Sequence, residues 1–143
     1  MIAVDTNILV YARREELRGH DKAYALLTEL AEGSVPWALP WPCVYEFLRV
    51  VTHPRVFDPP TELHAALEDV LSLLASPSLV LLGPGPAHTS HMVRAVEEGR
   101  ASGNLVHDAH IAALLVEHGV RELWTLDRDF TRFTGIRVVD PLE

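Results

Sequence analysis

Four carboxylates interrupt apolar stretches of this chain. Asp5 follows Ile2-Ala3-Val4, Glu46 stands inside Val44-Tyr45-Glu46-Phe47-Leu48, Asp108 inside Leu105-Val106-His107-Asp108-Ala109, and Asp127 closes Leu123-Trp124-Thr125-Leu126-Asp127. A carboxylate in such surroundings is tolerated when it is paired, hydrogen-bonded or bound to a metal. If the fold gathers all four, a divalent cation is the simplest partner. Oxygen donors without a Cys or His cage favour Mg²⁺ or Mn²⁺ over Zn²⁺. Mg²⁺ takes only one or two protein carboxylates directly, so the other acids would hold bound water or a second ion, and substrate phosphate would complete the shell. The chemistry that suits such a set is hydrolysis of a phosphodiester. Each acid alone also has an ordinary structural role: Asp5 as a cap, Glu46 on a helix surface, Asp108 as a first-turn acid and Asp127 in a turn. Four of them beside apolar runs favour a shared site.

The elements that must position these acids follow from the apolar periods. Short strands fit Ile2–Val4, Val35–Leu39, Leu79–Leu82, Leu123–Leu126 and Arg137–Val139. Leu63, Ala66, Leu67, Val70, Leu71 and Leu74 recur with helical spacing over Thr61–Ala75, with Thr61 after Pro59-Pro60 placed as N-cap. Further helices are expected over His20–Glu32, Cys43–Val51, His88–Glu98 and Leu105–His118, the last closed by Gly119. Asn104 is placed to cap that last helix, with Leu105, Ala109, Ala112, Leu115 and Val116 as its packed stripe and Asp108 at the stripe's border. Strands separated by helices of this length call for crossover connections, hence an α/β fold with a mainly parallel sheet covered on both faces. Ligands of open parallel sheets collect at the carboxyl ends of the strands. Asp5 and Asp127 both fall there.

The chain of 143 residues, 48% of them hydrophobic, is read as a single domain over residues 1–143. No apolar run reaches the roughly 18 residues that span a bilayer, and the N-terminus lacks the order of a signal peptide, so a soluble, cytoplasmic protein is expected. The single cysteine, Cys43, excludes an internal disulfide and a thiolate metal cage, and reads as a small core residue. Twenty acidic residues against twelve basic ones give a formal charge of −8, which argues against broad attraction to polyphosphate. Any nucleic-acid chemistry must therefore be local.

These motifs carry a family resemblance. Ile-Ala-Val-Asp5-Thr6-Asn7-Ile-Leu-Val, Glu46-Phe-Leu-Arg, Asn104-Leu-Val-His-Asp108-Ala-His-Ile-Ala-Ala and Thr125-Leu-Asp127-Arg-Asp129-Phe resemble the four signatures of PIN-domain nucleases, in particular the VapC-like toxins of bacterial toxin–antitoxin pairs. The run from Glu46 to Phe57 is similar to one VapC subgroup. The resemblance implies a three-layer α/β/α sandwich and an endoribonuclease dependent on Mg²⁺ or Mn²⁺. It implies Asp5, Glu46, Asp108 and Asp127 as the catalytic quartet, with Asp5 and Asp108 as direct metal ligands and Thr6 and Asn7 supporting the first acid. Asp129 occupies a position that varies in the family and is assigned either to the site or to the cap of the following turn. Also implied are an RNA substrate such as tRNA or rRNA, a VapB-like antitoxin that covers the cleft and inserts a basic side chain, and a homodimer. In a dimer, Arg13, Arg14, Arg49 and Arg128 would line a longer RNA path, or else serve as solvated surface charges.

Other chemistries fit less well. The dipeptide His107-Asp108 suits a His-Asp phosphohydrolase, but that class needs upstream histidines on an all-helical scaffold. Phosphoacceptor domains also place an acid after the first strand, yet they use a late lysine, and Lys22 is the sole lysine here. A PIN-like module that binds RNA or an antitoxin without turnover is the non-enzymatic alternative.

Overall fold

A computed structural model describes every residue from Met1 to Glu143. Five strands, β1 (Ile2–Val4), β2 (Trp37–Pro40), β3 (Leu79–Leu82), β4 (Glu122–Trp124) and β5 (Arg137–Val139), form one sheet in the order β3-β2-β1-β4-β5, and every pairing is parallel. Six helices connect them: α1 (Thr6–Arg13) and α2 (His20–Glu32), α3 (Trp41–Val51) and α4 (Leu63–Leu74), α5 (His88–Gly99) and α6 (Leu105–Glu117). The chain steps from β1 out to β3, then returns past β1 to β4. Because parallel crossovers are right-handed, that reversal puts α1–α4 on one face and α5–α6 on the other, a three-layer α/β/α sandwich. The reversal point lies between β1 and β4, where a crevice opens at the carboxyl ends of the strands.

Strand boundaries differ from the periodic reading for identifiable reasons. Val35 is 74% exposed and precedes Pro36, whose ring nitrogen cannot donate to a ladder, so β2 begins at Trp37. Its last residue, Pro40, leads straight into α3, with Pro42 in the first turn where a missing N–H costs nothing. Past the end of β4 at Trp124, the Thr125 N–H still donates to the Val139 carbonyl at 2.9 Å while its hydroxyl donates to Asp5, and the Leu126 N–H leaves the ladder for Asn7 Oδ1.

Two expected caps are corrected. Glu62, whose side chain accepts from the Ala65 N–H at 3.1 Å, caps α4, while Thr61 is buried and accepts from Arg14 Nη1 at 3.1 Å. Asn104 makes no side-chain cap bond at α6 and has helical backbone angles. The stripe assigned to α6 is corrected too. Ile111, Ala113 and Leu114 are buried with Ala109, Ala112 and Leu115, whereas Val116 is exposed. A helix apolar nearly all round is enclosed on several sides, and α6 packs closely on α5 as well as reaching α3 and β2. In α4 only Ala66 and Val70 of the expected stripe are buried, and Leu63, Leu67 and Leu71 face outward. Gly119, at φ +72°, terminates α6 as expected. The core joins both helical layers through the sheet, with Trp37, Phe47 and Phe130 its largest enclosed side chains.

Candidate metal centre and active site

β1 delivers Asp5 to the crevice, and α1 begins on it. The Asp5 side chain caps that helix, Oδ1 accepting from the Thr6 N–H at 2.7 Å and from the Cys43 thiol at 3.6 Å. Oδ2 accepts from the Thr125 hydroxyl at 2.7 Å and, more weakly, from Asn7 Nδ2 at 3.5 Å. The carboxylate is only 5% exposed. Burial raises its pKa, and the bonds from Thr125 and Thr6 pull the other way. Thr125 uses its whole capacity: it donates to Asp5 and accepts from Asn7 Nδ2 at 3.1 Å and from the Asp127 N–H at 3.0 Å. Asn7 in turn accepts from the Leu126 N–H at 3.3 Å, so it clasps the ends of β1 and β4 together.

β4 delivers Asp127. Its Oδ1 accepts from the Asp129 N–H at 2.9 Å and caps a short 3₁₀ turn, Arg128–Arg132. The turn swings Asp129 back toward the cleft, where oxygens of Asp108, Asp127 and Asp129 all lie within 4.8 Å of one another. Asp108 sits in the first turn of α6. Burial raises its pKa to about 6, reinforced by the negative charges of Asp127 and Asp5. Glu46 reaches the same region from α3, and its charge acts on Asp5. It is paired with His107 Nε2 across from α6, which lowers the Glu46 pKa and raises that of the imidazole.

The structure therefore brings the four sequence-derived acids to one crevice and divides their surroundings. Asp5 is held by four donors and is not among the three acids that come within 4.8 Å of each other, whereas Asp129 is. No Lys or Arg is ion-paired with Asp108, Asp127 or Asp129; the ion pairs are Arg13–Asp69, Arg14–Glu16, Arg137–Glu122, His88–Glu117 and His107–Glu46. Three clustered carboxylates whose negative charge is offset only in part, by the His107 imidazole, fit a hard divalent cation and do not fit a thiophilic one.

Periodicity hid two contributors. Cys43, read as core, also touches Asp5, and His107, weighed only as half of a His-Asp dipeptide, holds Glu46. Its place one residue before Asp108 in the first turn of α6 was the only available signal. The arginines separate as well. Arg14 is buried, bonding Thr61 Oγ1, the Pro59 carbonyl at 2.8 Å and Glu16 at 2.6 Å, with its guanidinium 4.3 Å over the Phe57 ring, so it holds the loop after α3 rather than RNA. Arg13 pairs with Asp69 at 3.4 Å in a cavity of about 970 Å³ between α1, α2 and α4 that contains none of the quartet. Arg49 and Arg128 are exposed beside the acids.

An open parallel sheet with acids crowded at its point of reversal defines a class, and comparison with known proteins agrees: residues 2–136 match the PIN domain, and the chain belongs to that family. Its relatives narrow the likeness. The chain is 40% identical to ribonuclease VapC43 of Mycobacterium tuberculosis over 143 residues, covering 100% of this chain and 97% of the relative. It is 35% identical over 137 residues to ribonuclease VapC48 of the same species, covering 96% and 94%. Among solved structures, VapBC2 of Rickettsia felis bound to a promoter DNA fragment superposes with a TM-score of 0.68 at 20% identity, covering 97% of this chain and 98% of that one. No helix is long and apolar enough to cross a membrane.

Proposed function

We infer that this protein is a metal-dependent endoribonuclease of the VapC kind, the toxin partner of a VapB-like antitoxin. The observation that carries the reading is the crowding of Asp108, Asp127 and Asp129 without a Lys or Arg partner, beside a rigidly held Asp5. The full-length likeness to relatives named as ribonucleases supports RNA as substrate. The VapBC assembly that shares this fold supports an antitoxin partner, and the family resemblance supports a homodimer.

Asp5 and Asp108 are the proposed direct ligands of Mg²⁺ or Mn²⁺, with Asp127 and Asp129 completing the shell. A divalent ion held there would supply acidification of a water and neutralisation of charge on the phosphoryl oxygens. The remaining work belongs to side chains. Thr125, Thr6 and Asn7 hold Asp5 in one orientation, so no reorganisation is needed when the ion arrives. Glu46, paired with His107, adds a fourth carboxylate to the crevice, with its charge acting on Asp5. The acids together exclude a phosphate that arrives without a cation.

The test is cleavage of structured RNA by wild type in Mn²⁺ or Mg²⁺, with and without chelator, beside Asp108→Asn and Asp5→Asn. Each substitution is expected to reduce the rate by about a hundred-fold or more, as loss of a group that stabilises transition-state charge does. Cleavage indifferent to chelator and to both substitutions would refute the mechanism.

A further inference from the structure

α6 brings two adjacent side chains to the crevice, and only one of them is an acid. His107 and Asp108 are consecutive in its first turn, about 100° apart around the helix, so the imidazole meets α3 while the carboxylate joins Asp127 and Asp129. His107 Nε2 lies against Glu46 Oε2, is shielded from solvent and has no other hydrogen-bond partner. A ring nitrogen that faces a carboxylate oxygen carries the proton, because two acceptors would repel. The bond therefore runs from the imidazole N–H to Glu46.

Glu46 needs such a holder. Its side chain is 25% exposed and has several rotatable bonds, so fixing it in one place costs conformational entropy. A second cation competes for it: Arg49 stands at i+3 on the same helix, exposed, and close enough for its charge to act on Glu46. Pairing with Arg49 would draw the carboxylate along the outer side of α3 and away from Asp5, on which its charge now acts. The buried Thr6 hydroxyl is a weaker influence on Glu46 than the imidazole. His107 alone reaches Glu46 from the other wall of the crevice.

We propose that His107 is a positioning residue for RNA cleavage, its imidazole holding the Glu46 carboxylate inside the crevice beside Asp5 and against the pull of Arg49, an inference that rests on the ribonuclease reading. The first turn of α6 then has two duties. It supplies Asp108 directly, and through His107 it sets where an acid on another helix stands. A neighbour that orients a group in a metal site matters nearly as much to activity as the group itself.

The experiment compares wild type with His107→Ala, His107→Gln, Glu46→Ala and the double variant His107→Ala/Glu46→Ala. Gln places an amide N–H near the position of Nε2 and cannot exchange a proton as an imidazole does, so it keeps the bond to Glu46 and little else of His107. At saturating RNA and Mn²⁺, His107→Ala is expected to lose about ten-fold or more in kcat, and His107→Gln to stay within about three-fold of wild type. Glu46→Ala is expected to be at least as slow as His107→Ala, since a holder contributes no more than the group it holds. Melting temperatures in chelator report the contact without any activity. His107→Ala is expected to lower that of wild type by about 3 °C, and that of Glu46→Ala by less than half as much, because only the attraction of His107 to Asp108 and Asp5 remains. An intact kcat in His107→Ala, whatever its melting temperature, overturns the proposal and leaves His107 a clasp between helices. So does a folded His107→Gln that cleaves no better than His107→Ala, or a drop in melting temperature of the same size with and without Glu46. In each of these cases a wild type that cleaves RNA leaves the ribonuclease reading standing, whereas a wild type that does not cleave sinks that reading and the proposal together.

Discussion

Asp5 and Asp108 bear the same functional group in opposite circumstances. Asp5 is the more buried, but four donors surround it, so much of the cost of removing it from water is returned as hydrogen bonds. Asp108 has no such donor and is pushed up to about 6 by burial and by neighbouring acids. The raised value has a definite consequence for stability. A carboxyl that holds its proton more tightly folded than unfolded stabilises the fold while protonated, and that contribution is lost as pH rises from the ordinary value of 3.8 through about 6. In chelator, Asp108→Asn is therefore expected to melt progressively higher than wild type as pH goes from 4 to 7, with the gap levelling off above about 6. Millimolar Mn²⁺ is expected to narrow or reverse it at pH 7 by stabilising wild type alone. Scanning calorimetry at each pH with and without Mn²⁺ reads this directly. A gap independent of pH would mean that Asp108 is not crowded by its neighbours.

At the scale of elements, packing overrules intrinsic preference at one helix end. Gly99 is the last residue of α5, and an added Cβ would stand 2.5 Å from Cε1 of Phe133, a buried ring that also packs on Phe130. Ala in place of helical Gly ordinarily gains up to about 1 kcal/mol. Here overpacking costs roughly 1–3 kcal/mol, so Gly99→Ala is expected to lower stability in chemical denaturation, by more than any gain in propensity. Nothing in the sequence announces this, because the ring arrives from a turn more than thirty residues away. The same distinction governs what could be read in advance. Element types were legible because strands and helices impose their own periods, and Asp5 and Asp127 were placed at strand ends by the geometry of parallel sheets. The caps of α4 and α6 were not, since Thr61 is taken by Arg14 from another element and Asn104 is drawn into helical geometry. The pairing of His107 with an acid escaped notice for a similar reason. Its partner, Glu46, lies on a helix that meets α6 only in the folded molecule.

For the molecule as a whole, the decisive step is the insertion of β4 beside β1, which joins positions 5 and 127 through Thr125. Its charge is distributed as unevenly as its acids are concentrated. No Lys or Arg occurs between Arg55 and Arg94, Arg14 is consumed inside the fold, and Arg13 is paired in a separate cavity, leaving Arg49 and Arg128 as the exposed cations beside the crevice. Binding of a single strand that depends on so few phosphate contacts should be only weakly sensitive to salt. With about 0.7 released counterions per contact, the plot of log affinity against log salt concentration is expected to slope between about −1 and −2, and Arg49→Gln should make it shallower by about 0.7. A slope steeper than about −4 would require a basic surface that a single copy of this chain does not possess, and would place part of the RNA path on a second subunit. Fluorescence anisotropy with the Asp108→Asn protein from low to physiological salt distinguishes the two, because each further phosphate contact steepens the salt dependence.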